Sequence, residues 1–383
     1  MSPKDLDRSA ALDLIAFIDA SPSPWHAVAS AEHRLGEAGF TPLKETERWQ
    51  LQAGGRHYVV RGGSSLIAFV VGQQALVKTG FRIVGAHTDS PGLRLKPKAA
   101  LGGDGLARVA VEVYGGPILA SFADRDLSLA GRVVSRSAGG PVARSVRIER
   151  PLLRLPNLAI HMNREVNESG LKFNKQTELP LILGQLGEGA DAEAGLRRLL
   201  ANAVQSDEAD LMSWELVAHD TQPGSLWGAD NEFIASRQLD NLASCHAALS
   251  ALTKLEAPAA TCLAALFDHE EVGSESAVGA GGSFVGDVLA RIGIAAGLDG
   301  EDRRRTAAAS FFISADMAHA YNPNFPAAYE PGHKVMVNGG PVIKTNANQR
   351  YATGAESAAR FMACCERAGV PFQQYSHRSD LGC

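Results

Sequence analysis

The stretch FDHEEVGSES, residues 267–276, sets Asp268, His269, Glu270 and Glu271 directly behind the apolar run CLAALF of residues 262–267. An apolar run of six, bounded by turn-forming residues, reads as a buried strand. Two neighbouring carboxylates at its end repel each other and raise each other's pKa unless a cation lies close by. The stretch therefore predicts an α/β sheet whose strand ends carry charged, cation-seeking groups.

Working outward, the same pattern recurs. LIAFVVG (66–72) and FRIVGAH (81–87) are short β-branched and aromatic runs bounded by glycine, and FFISA (311–315) is a further apolar strand. Between them lie helical, alanine-rich stretches, ASCHAALSALTKLEA and SFVGDVLARIGIAAG. Near the N-terminus, residues 5–19 carry leucine and isoleucine at helical spacing. Ser23 is placed to cap a second helix, with Pro24 at its first position and Gly39 past its end. From about 95 to 235 the texture changes: LGGDG, YGG and SAGG turns separate alternating runs such as ARVAVEVY and RSVRIER, the signature of an antiparallel sheet. The expectation is one α/β domain formed by 1–94 and 236–383, interrupted by a β-rich insert, 95–235.

Composition bounds the function. The 383 residues include 45% hydrophobic and 21% charged residues, the mix of an ordinary globular protein. The formal charge of −5 gives no footprint for nucleic acid. No apolar run reaches the ~18 residues of a membrane helix, and no secretory signal is read at the N-terminus, so a cytoplasmic protein without membrane partners is expected. Five cysteines without CxxC spacing argue against both a disulfide framework and a thiolate zinc site.

In open α/β sheets ligands bind beyond the carboxyl ends of the strands. There FRIVGA delivers His87 and Asp89, CLAALF delivers Asp268 to Glu271, and FFISA delivers Asp316 and His319. SRQLDNL adds Asp240 at the start of a helix, as a cap or as a ligand. Each residue alone has an ordinary structural explanation; carboxylates gathered at one buried edge do not, because they are costly unless paired or bound to metal. Imidazole and carboxylate donors suit zinc, and two-metal hydrolytic sites need a shared bridging carboxylate. Asp240 is the candidate bridge, with His87 and Asp316 on one ion and Glu271 on the other. Glu270 is the candidate general base and acid, and Asp89 the partner of the His87 ring's other nitrogen. GAGGSFVG (279–286) lacks G-x-G-x-x-G spacing behind a strand, so its glycines read as tight turns and not as a nucleotide loop.

GAHTDSPGLRLKP, LPNLAIHMNREVN, FNKQTELPLIL, SRQLDNL, DHEEVGSES, SADMAHAYNPNF and SDLGC, in this order across residues 10–383, resemble the aspartyl aminopeptidase family of zinc metallopeptidases. The resemblance implies a three-layer α/β/α zinc-exopeptidase domain, two Zn2+ per subunit with Co2+ or Mn2+ as substitutes, peptide substrates and a β-rich dimerisation insert. It also implies a homo-oligomer, a tetrahedral dodecamer, with acidic N-terminal residues preferred in the eukaryotic branch. Carried over, His87, Asp240, Glu271 and Asp316 are metal ligands and Glu270 the base. His161 is the residue that steadies an oxyanion in a neighbouring subunit's site, and His319 and Lys344 contact substrate. The family pattern continues past the SDLGC-like motif to a further histidine ligand. With the sequence ending at Cys383, the expectation is a second metal position short of its imidazole and an impaired enzyme. The alternatives are an amidohydrolase acting on N-acyl amino acids and a catalytically inactive oligomer component.

Overall fold

The computed structural model describes residues 8–381. One compact unit ends at Asp316 and a second begins at Met317.

Within the first unit, the described residues form two six-stranded sheets. The first runs Thr41–Pro42, Arg56–Arg61, Ser65–Val70, Thr261–Phe267, Phe81–His87, Phe311–Ser314. It is mixed: Ser65–Val70 lies antiparallel to both of its neighbours. Thr261–Phe267, Phe81–His87 and Phe311–Ser314 run parallel. Alternation along Ser65–Val70 shows why it is buried on both faces. Leu66, Ala68 and Val70 pack with Phe17, Val28, Leu35 and Leu249, while Ile67 and Phe69 pack with Trp49, Phe284 and Val288. Helices Ser9–Asp19, Pro24–Glu37 and Leu239–Thr253 supply the first set and helix Phe284–Ala295 the second, giving the expected three layers.

The second sheet takes its strands from residues 92–220 in the order Gly140–Arg147, Leu127–Ser137, Leu211–Asp220, Gly92–Gly103, Leu106–Tyr114, Leu181–Gln185, and every pairing is antiparallel. Its core, Leu93, Val109, Leu127, Leu129 and Leu216, is closed by Leu196 and Leu200 of helix Ala192–Val204, an element the turn-rich sequence reading passed over. In the second unit, strands Val342–Lys344 and Gln373–Tyr375 pair in parallel beside helix Ala355–Ala368.

Two local expectations are adjusted. Helix Pro24–Glu37 does follow Ser23, but the Ser23 hydroxyl lies 2.7 Å from His26 Nδ1 and caps no amide. A histidine three residues on competes for the oxygen that capping requires. The first helix starts at Ser9; residues 5–7 lie outside the described segment. Among the described residues no helix is long and apolar enough to cross a membrane. Cys245, Cys262, Cys364 and Cys365 are free thiols.

Candidate metal centre

The three parallel strands bring their carboxyl ends to one edge. Register sets the detail: Phe267 is paired with His87, and Ser314 with Gly85. Asp268 therefore emerges beside Thr88, and the Ala315 amide donates to the Gly85 carbonyl at 2.7 Å, which leaves Asp316 one residue beyond. Asp240 arrives from a different element. Helix Leu239–Thr253 is non-helical at Asp240 (φ −84°, ψ 108°) and Asn241, and the Asp240–Asn241 peptide is cis. Three bonds fix this corner to the strand ends: Ser90 Oγ to Asp240 O (2.9 Å), Asn241 Nδ2 to Ala315 O (2.8 Å) and Cys245 Sγ to His87 O (3.0 Å).

The result is a ring of carboxylates around one imidazole. His87 Nε2 stands 3.4 Å from Asp240 Oδ1, 3.7 Å from Glu270 Oε2 and 3.7 Å from Asp316 Oδ1. His87, Asp240 and Glu271 offer donor atoms that all lie within 4.8 Å of one another. Behind the ring sits Asp89, 0% exposed. His87 Nδ1 lies 3.0 Å from the Asp89 backbone carbonyl, its hydrogen-bond acceptor, and 3.3 Å from Asp89 Oδ1, which also accepts from the Glu270 amide at 3.2 Å. Asp89 Oδ2 accepts from the Glu271 amide at 3.1 Å and from the Tyr114 hydroxyl at 2.6 Å. Asp89 thus meets the imidazole with both its backbone carbonyl and its carboxylate, and the acidic turn with its carboxylate.

The electrostatics follow from this crowding. Burial raises Glu271 to about 7, reinforced by Asp240, Asp89 and Glu270. Glu270 is raised by burial and then by Asp316, Asp89 and Asp240. Burial opposes charge on His87, but Asp240, Asp316 and Asp89 overcome it and raise the imidazole. Asp89 is lowered: burial works against its charge, while the bonds from His87 and Tyr114 prevail. Five carboxylates face one imidazole, and the neutralisation they lack is what a divalent cation provides. The donors, imidazole nitrogen and carboxylate oxygen, are those zinc accepts. The residues fit the metal.

The other residues of the acidic stretch are structural. Asp268, 1% exposed, accepts from the His269 amide at 2.8 Å, and burial raises its carboxyl. His269 Nδ1 meets Ser276 Oγ at 2.8 Å. Behind them the chain folds back so tightly that a Cβ on Gly279 would lie 2.1 Å from the Ser274 carbonyl, the steric reason for glycine there.

Comparison with known proteins settles the family. The profile of the aminopeptidase I zinc metalloproteases (M18) matches residues 17–383. The chain belongs to the M18 aminopeptidase family. A probable M18 family aminopeptidase 2 of Streptomyces coelicolor is 43% identical over 386 aligned positions, covering 100% of this chain and 88% of the relative. The cryo-EM structure of the Ape4 and Nbr1 complex contains a chain that superposes with a TM-score of 0.91 at 38% identity, covering 98% of this chain and 76% of that one. The S. cerevisiae mApe1 dodecamer superposes with a TM-score of 0.80 at 26% identity, covering 96% of this chain and 85% of that one. The M18 aminopeptidase is thus a metal-dependent hydrolase of the zinc metalloprotease class.

In this M18 aminopeptidase the structure gathers six residues singled out from sequence: His87, Asp89, Asp240, Glu270, Glu271 and Asp316. His161 is not among them; it is exposed in the turn Ile160–Met162 of the second sheet's connections. His319 and Lys344 belong to the second unit. There the His319 ring lies 5.5 Å from that of His377, and Lys344 Nζ donates to the Met317 carbonyl and sits 5.4 Å from the Tyr351 ring centre. Of the SDLGC motif, Gly382 and Cys383 lie outside the described residues. Sequence reasoning missed Tyr114, whose side chain reads as one more residue of an alternating strand; only the glycine pair that follows it hinted at a close approach.

Proposed function

We propose that this M18 aminopeptidase holds two zinc ions on His87, Asp240, Glu271 and Asp316, with Asp240 shared between them, and releases N-terminal residues from peptides. The observation that carries the reading is the arrangement at His87 Nε2: three carboxylates from three other segments lie within 3.7 Å. Bound zinc supplies Lewis acidity, polarising a scissile carbonyl and making water easier to deprotonate at neutral pH.

The protein's own groups do the rest. Glu270, its carboxyl raised by burial and its side chain half exposed, accepts a proton from the attacking water and passes it to the leaving amine. Asp89 fixes the His87 ring from behind, and its grip on the Glu270 and Glu271 amides keeps base and ligand in fixed relation. The resemblance supplies three further roles. His161 donates to the developing oxyanion from a neighbouring subunit, His319 contacts substrate, and Lys344 meets a substrate carboxylate, which favours acidic first residues as in aspartyl aminopeptidases. The sheet of residues 95–235 acts as the dimerisation domain of a homo-oligomer; the solved mApe1 relative is a dodecamer.

The free amine decides between this reading and an N-acyl amidohydrolase. Aminoacyl nitroanilides and their N-acetylated forms are compared at saturating zinc. The free forms are expected to be cleaved, aspartyl and glutamyl ones fastest, and acetylation is expected to lower kcat/KM at least about 100-fold. Faster cleavage of the acetylated forms would overturn the proposal.

A further inference from the structure

The metal centre reaches into the second sheet through one side chain. Tyr114 closes strand Leu106–Tyr114, is buried, and donates its hydroxyl to Asp89 Oδ2 at 2.6 Å. Without that hydroxyl, Asp89 Oδ2 keeps only the Glu271 amide, and a fully buried carboxylate loses a donor it cannot replace with water. Arg94, on the neighbouring strand, places its guanidinium carbon 3.5 Å from the centre of the Tyr114 ring. Arg94 Nε is buried without a hydrogen-bond partner, and among the described residues no carboxylate pairs with this guanidinium within 4.0 Å. The guanidinium rests on the ring face, with the Asp268 carboxylate in its electrostatic reach, and a cation on the face of a phenol makes the hydroxyl a stronger donor. The next residue continues the contact. Gly115 has φ +65°, and a Cβ there would stand 3.0 Å from Glu271 Cβ and 3.2 Å from Glu271 Oε2.

We propose that Tyr114, with Arg94 stacked on it, is a positioning residue of the metal centre, so that the antiparallel sheet supports metal binding within its own chain as well as any contact between chains. Tyr114 acts through the Asp89 carboxylate, holding it beside His87 Nδ1, where it adds to the backbone carbonyl's grip on the ring, and under the turn bearing Glu270 and Glu271. The proposal rests on the reading of the carboxylate ring as a zinc site.

The test uses the 383-residue protein and four variants: Tyr114→Phe, which keeps the ring and removes the hydroxyl; Arg94→Gln; the two combined; and Leu129→Ala, which opens a cavity in the core of the same sheet. Zinc affinity is measured by chelator competition, kcat and KM at saturating zinc, and Tm on zinc-free protein. Loss of an outer partner of a metal ligand weakens metal binding about 10- to 100-fold. Tyr114→Phe is expected to do this and to lower kcat about 10-fold with KM nearly unchanged. Arg94→Gln is expected to weaken zinc binding less, and to add nothing once the hydroxyl is gone. Leu129→Ala is expected to lower Tm while zinc affinity stays at the unsubstituted value. The proposal is overturned if Tyr114→Phe binds zinc as tightly as the unsubstituted protein, or if Leu129→Ala weakens zinc binding equally. Should Tyr114→Phe not fold, Arg94→Gln alone decides: unchanged zinc affinity overturns the proposal. An unsubstituted protein that takes up no zinc would instead sink the underlying site assignment.

Discussion

Glu270→Gln is expected to lower kcat about 100- to 10,000-fold while zinc content stays at the unsubstituted level. The amide keeps the shape of the side chain and its place on the turn, because the turn is held by the Glu270 and Glu271 backbone amides on Asp89 and not by the Glu270 carboxylate. What it loses is the ability to accept a proton. KM should change little, since the group acts on the transferred proton and contributes no uniform substrate binding. Zinc quantification beside steady-state kinetics on one preparation checks both halves. Parallel loss of zinc and activity would mean that Glu270 is a ligand and would move the base elsewhere.

Asp240→Ala is expected to abolish activity and weaken zinc binding at least about 100-fold, because the residue serves both ions in the proposed site. It also carries a prediction of opposite sign. In the zinc-free protein Asp89, Asp240, Glu270, Glu271 and Asp316 crowd a single imidazole, and Asp240 is among the groups that raise Glu271. Removing one carboxylate relieves repulsion among the acids that the single His87 imidazole offsets only in part. Zinc-free Asp240→Ala should therefore melt at or above the zinc-free unsubstituted protein, with the order reversed once zinc is added, because ligand binding stabilises only the form that holds it. A variant less stable in both states would show that Asp240 is a structural group.

The strand-end rule made most of the site legible in sequence. Thr261–Phe267, Phe81–His87 and Phe311–Ser314 are parallel, and parallel strands send their following residues to the same edge, so His87, Glu270, Glu271 and Asp316 fall together without any knowledge of side-chain packing. Asp240 carried two readings from sequence, helix cap or ligand. The structure gives Asp240 a non-helical backbone and sets its carboxylate 3.4 Å from His87, the placement on which the proposed ligand role rests. Tyr114 was illegible because a buried hydroxyl on an alternating strand carries no local signal; its meaning lies in a partner 25 residues away, in the loop that follows strand Phe81–His87. The antiparallel placement of Ser65–Val70 between Arg56–Arg61 and Thr261–Phe267 was also hidden, since an apolar run looks alike in either direction. The compact unit from Met317 onward was missed because its elements, two three-residue strands and one helix, are too short or too polar to punctuate the sequence.

Anomalous diffraction at the zinc edge, on crystals of the zinc-loaded protein, tests the central claim most directly. Two peaks per chain are expected, both within bonding distance of Asp240, one also touching His87 and Asp316 and the other Glu271. A zinc-loaded protein whose peaks lie away from these side chains, or one that shows no peak at this strand edge, would contradict it.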